Sequence, residues 1–81
     1  SEQAAAVFTD RVNLAEAIQT ALQRVDASLR EKQIEVSVDI PAVLPALLAD
    51  GAKFVRMFEL LFLDEQVSLP AGSRIEITAQ L

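Results

Sequence analysis

The chain contains no cysteine, histidine, tryptophan or tyrosine, and only two glycines and three prolines. Without Cys there is no disulfide, and without Cys or His the usual zinc and iron sites cannot be assembled. The lack of His also removes the acceptor for histidine phosphotransfer and the base of Ser–His–Asp or Cys–His schemes. Gly51 and Gly72 stand far apart, so neither a P-loop nor a G-x-G-x-x-G turn exists. Basic residues are few and scattered (Arg11, Arg24, Arg30, Lys32, Lys53, Arg56, Arg74), and 12 acids bring the net charge to −5. With no basic stripe for phosphate backbones, nucleic acid is not an expected partner. No apolar run approaches the ~20 residues a bilayer requires, so no membrane insertion is expected. "SEQAAAVF" has neither the basic start nor the apolar stretch of a signal peptide, which makes cytoplasmic residence the default expectation. The missing initial Met is what a piece of a longer protein would show.

What the chain does have is apolar character: 52% of its 81 residues are hydrophobic. A chain of this length makes one domain that buries only about 60% of its unfolded surface, so it is expected to be marginal alone. Apolar excess on so small a unit points to self-association or to packing within a larger protein.

The order of elements can be read from the pattern. Residues 1–11 read as a tail and first strand, with a loose Ser1–Ala4 and an extended Ala5–Val12. Asn13 is placed to cap a helix, with Glu16 three residues on. Leu14, Ile18, Ala21, Leu22, Val25 and Leu29 then form one stripe, giving a helix from about Leu14 to Glu31. "QIEVSVDI" alternates strictly, with Ile34, Val36, Val38 and Ile40 on one side; "RIEITAQL" repeats this with Ile75, Ile77, Ala79 and Leu81. Pro41 and Pro45 bracket a loop, Ala46–Leu48 is a candidate short strand, and Asp50 caps a second helix from Gly51 to about Asp64. "SLPAGS" is a turn. The expected fold is α/β (α+β): a two-layer sandwich, β-α-β-(β)-α-β, its mixed sheet carrying two helices on one face.

On the second helix, Phe54, Met57, Phe58, Leu61 and Phe62, extended by Val55, fall within one arc expected to face the sheet and the first helix. Glu65 projects into that arc, so the helix should loosen before it. Lys53, Arg56, Glu59 and Asp64 occupy the other side, with Leu60 and Leu63 among them; Val67 and Leu69 follow closely and would extend an apolar patch. Contiguous apolar surface of this kind marks an interface. The carboxylates, Asp64–Glu65, Glu35 and Asp39 included, are expected to be solvated and to serve solubility rather than acid–base chemistry.

From Val12 to the end the chain resembles the first half of the histidine-kinase-type (GHKL) ATPase domain. "VNL" (Val12–Leu14) stands where a strand enters the first helix, "QIEVSVDI" where an alternating strand follows, and "LAD" (Leu48–Asp50) where an Asp opens the second helix. Lys53 and Phe54 match a usual basic–apolar pair, and "LPAGSRIEI" matches the Pro-Gly turn before an I-x-I strand. The resemblance implies an N-box on the second helix, whose polar ligands would fall at Leu60 and Asp64, with a Lys at Val67. Leu60 has no hydrogen-bonding group, Asp64 keeps a single carboxylate able to face a hard cation, and the Gly-rich nucleotide loops have no counterpart.

The expected function is therefore a non-catalytic interaction or dimerisation module of a sensory or regulatory, two-component-like protein, with no cofactor. Its interface would be formed by Leu60, Leu63, Val67 and Leu69, against a second copy or a neighbouring signalling domain. One alternative is a fragment of a working ATPase that binds Mg-ATP with Asp64 as cation ligand. Another is an unrelated small α/β interaction domain.

Overall fold

The computed structural model describes residues 10–41, 45 and 47–80. The elements are β1 (Asp10–Val12), α1 (Leu14–Glu31), β2 (Glu35–Asp39), β3 (Leu47–Ala49), α2 (Gly51–Ser68) and β4 (Arg74–Thr78). This is the expected mixed α/β order. The expected first strand before Asp10, Ala46 and Leu81 lie outside the described residues.

Helix α1 starts where the sequence signals it. Asn13 is extended (φ −86°, ψ 120°) and its Oδ1 accepts the Glu16 N–H at 3.1 Å, satisfying one donor of the first turn. The helix ends in a Schellman arrangement: Gln33 N–H donates to Arg30 O and Ile34 N–H to Leu29 O, each at 2.9 Å. Gln33 sits at φ 57°, a conformation that costs a non-glycine residue roughly 1–2 kcal/mol. Ile34 and Leu29 then meet in the core.

Helix α2 is capped by Asp50, which accepts the Lys53 N–H at 3.1 Å. Its last turn is closed from outside by Lys32 at the C-cap of α1. The Lys32 ammonium donates to the carbonyls of Gln66 and, at 3.2 Å, Val67. A cation there satisfies orphan carbonyls and opposes the negative end of the helix dipole. Lys32 O also accepts the Gly72 N–H at 3.0 Å, where the chain turns into β4 with Gly72 at φ 83°. One residue thus ties the end of α1 to the end of α2 and to the following turn.

The strands pair in twos. β1 and β3 form an antiparallel ladder, Val12 opposite Leu47; β2 and β4 form a parallel one, with Val36 opposite Ile75 and Val38 opposite Ile77. Both pairing senses of the expected mixed sheet are present, divided between two short ladders. Alternation places Val36, Val38, Ile75 and Ile77 on one face, packed against a core drawn from both helices. Both helices therefore cover the same face of the parallel pair. That core consists of Ile18, Ala21, Val25 and Leu29 of α1, Ile34, and Phe62 of α2. Small buried residues at 17 and 21 keep the inner face of α1 low, and Phe62, 1% exposed, fills the space from the other side.

Candidate interaction surface

The two faces of α2 differ in what they bury and what they expose. The inner face holds buried Glu59 and Phe62, with Val55, Phe58 and Leu63 half-buried beside them. The burying arc is rotated by about a quarter turn from the one the apolar pattern predicts. Met57 and Leu61, expected inside, are 51% and 48% exposed. Glu59, expected outside and solvated, is buried. Leu63 and Leu69, expected on the docking face, lie against the core. The helix also runs on to Ser68, past the expected stop near Asp64, because Glu65 sits half-buried at the flank rather than under the core.

The physical reason is an ion-pair clip. Arg24 of α1 donates to Glu59 Oε1 at 2.8 Å and Arg56 donates to Oε2 at 2.9 Å, so each carboxylate oxygen is engaged. A buried carboxylate with two guanidinium partners can turn inward, whereas an unpaired one would force the helix to rotate away. Hydrogen bonds from Arg24, then Arg56, hold the Glu59 carboxyl below its ordinary range, against burial, which acts the other way. A carboxylate so held is not a proton store near neutral pH; it is a clip between helices. Arg56 three residues before Glu59 is a helical neighbour visible in the sequence, but the partner on α1 is not.

The exposed outer side of α2 includes Met57, Leu60, Leu61 and Val67 together with Lys53, Arg56 and Asp64, and Met57, Leu60 and Leu61 are neighbours there at three- and four-residue spacing. Leu60 is 51% and Val67 76% exposed. The phenyl rings of Phe54, Phe58 and Phe62 form a ladder between this face and the core, with centroids 5.4 and 6.4 Å apart. Leu47 and Leu48 of β3 are also exposed.

Of the four sequence-predicted interface residues, Leu60 and Val67 stand outward and Leu63 and Leu69 do not. Asp64 is exposed, and among the described residues no three carboxylates gather around a common point. Glu35 and Asp39 are exposed on β2, as the alternation predicts. No family model, curated protein or solved structure matches the chain.

Proposed function

We propose that the chain is a non-catalytic protein-interaction module, a shortened and degenerate relative of the histidine-kinase-type ATPase domain, acting within a cytoplasmic sensory or regulatory protein. The partner is a second copy or a neighbouring signalling domain, seated on the outer face of α2, and no cofactor takes part. One observation carries the reading. Met57, Leu60 and Leu61 are each about half exposed and adjacent on one helical face, the face on which the resemblance would set nucleotide ligands at positions 60 and 64. A contiguous apolar stripe on a helix already anchored by its other face is surplus to folding, and such surplus is characteristic of interfaces. The element order, and both helices lying on one face of the β2–β4 ladder, support the resemblance.

Leu60→Glu tests this. Leu60 is half exposed, so the variant should melt within a few degrees of wild type. Sedimentation at micromolar concentration should show association weakened about tenfold or more. Unchanged association would remove the reading. Calorimetry with Mg-ATP should give no binding heat; heat that vanishes in Asp64→Ala would replace the module with a nucleotide-binding fragment.

A further inference from the structure

A parallel pair of strands has two open edges, and here they are built differently. Glu35 N–H donates to Ser73 O at 3.1 Å and Ala79 N–H to Asp39 O at 3.4 Å, which fixes the alternation of the ladder. The backbone groups of Ile75 and Ile77 therefore face β2, while those of Arg74, Glu76 and Thr78 face away from it. On the other strand, Val36 and Val38 direct their backbone groups to the opposite edge. Among the described residues, neither edge pairs with anything further.

The β2 edge is defended. Around the apolar Leu22, Leu29, Ile34 and Val36 of the adjoining groove, α1 sets four polar side chains, Gln19, Gln23, Asp26 and Arg30, and the wet face of β2 carries two acids, Glu35 and Asp39, and no base. Charged and polar cover of this kind prevents strand addition. Among the described residues, the helix beside the β4 edge contributes fewer polar side chains. Leu61 and Phe62 of α2 line its groove with Ile75 and Ile77, and the carboxylates of Glu65 and Glu76 belong to the same groove. Glu76 meets Arg74 at 3.6 Å with both side chains exposed, a pair worth little and readily exchanged. Glu65 has no ion pair among the described residues.

We propose that the open edge of β4 takes an extended segment of a partner protein, with apolar residues alternating with Lys or Arg, as an added strand. Main-chain hydrogen bonds to Arg74, Glu76 and Thr78 would hold it. Its apolar residues would lie on the helix side against Leu61, Ile75 and Ile77, and its basic ones opposite Glu76. A second copy fits this edge poorly. The antiparallel register that matches Ile75 with Ile77 sets Glu76 directly opposite Glu76, in a chain whose net charge is already −5. The inference rests on the chain being an interaction module; its groove shares Leu61 with the outer face of α2, but the hydrogen-bonding edge it uses belongs to β4 and not to α2.

The test uses a blocked nine-residue peptide alternating Val and Lys, beside an isomer of equal composition with the alternation broken. The alternating peptide should bind at least about tenfold more tightly. Amide exchange should slow at Arg74, Glu76 and Thr78 and stay unchanged at Val36 and Val38. Glu76→Lys, at an exposed position on β4 and outside the α2 face, should weaken binding about tenfold. Equal binding of the isomer, or protection at Val36 and Val38, overturns the proposal. So does protection of the β4 amides that rises with protein concentration alone, since a second copy would then hold the edge. If no peptide binds while Leu60→Glu still disrupts association, only the strand proposal is lost; if Leu60→Glu is also silent, the interaction reading goes with it.

Discussion

Helices α1 and α2 have 18 residues each and pack against each other over the same ladder, yet they are built on different plans. Every exposed position of α1 except Ala27 is polar, including Glu16, Gln19, Gln23, Asp26 and Arg30, and its buried residues form one stripe. Exposed positions of α2 include Met57, Leu60, Leu61 and Val67, while a glutamate sits inside. A helix apolar on one stripe is complete once that stripe is covered; α2 keeps further apolar residues outside that stripe, set among Lys53, Arg56 and Asp64. The difference teaches that the exposed side of α1 is finished in polar residues, whereas that of α2 leaves apolar side chains uncovered, which is the contrast the proposed interface rests on.

The largest effect should come from the inner face of α2. Phe62→Ala removes the only α2 residue of the fully buried core and should cost about 3–5 kcal/mol. At roughly 0.05–0.15 kcal/mol per residue, the 81-residue chain has only about 4–12 kcal/mol in total. The variant should therefore be unfolded or nearly so at 37 °C by circular dichroism. A cooperative melt close to wild type would mean that α2 contributes little to the core, and the contrast between its faces would fail.

A smaller effect is expected from the clip that sets the rotation of α2. The Glu59 carboxyl lies below its ordinary value of 4.5 in the folded chain, so the clip's stabilisation is fully present above that pH. It is lost as pH falls through the depressed folded value, because the unfolded state then binds the proton first. Glu59→Gln should lower the melting temperature at pH 7, and the gap to wild type should close below about pH 4.5. A gap that stayed constant down to pH 3 would mean that the charge on Glu59 does not orient the helix.

The same clip explains how much was legible in the sequence. Helix α1, both caps, the alternation of β2 and β4 and the Pro-Gly turn follow from local rules, because each depends on neighbours within four residues. The rotation of α2 does not. Its apolar residues surround the helix, so periodicity alone leaves several arcs nearly equivalent. The choice among them is made by Arg24, 35 positions away in sequence from Glu59. Lys32 is equally non-local: nothing in its own segment signals that it closes the last turn of α2. Of the candidate interface, Leu60 and Val67 were legible as apolar residues among charges. Leu63 and Leu69 turned inward with the rotation, and Met57 and Leu61 took the outer face.

The smallest effect is the sharpest probe of that outer face. Met57→Gln and Leu61→Gln each replace a half-exposed apolar side chain with a polar one of similar length and good helix propensity. In the isolated fold each should change stability by no more than about 0.5 kcal/mol, since neither side chain fills a closed cavity. Gln on α1 at Ile18, 1% exposed, would bury an unpaired amide and should cost several times as much. Chemical denaturation of the three variants at low protein concentration checks the ordering. If Met57→Gln or Leu61→Gln cost as much as Ile18→Gln, the outer residues of α2 would be structural, and an apolar stripe needed for folding would no longer argue for a partner. If they cost nothing at low concentration and progressively more as concentration rises, the added stabilisation comes from association, which is what an interface on α2 requires.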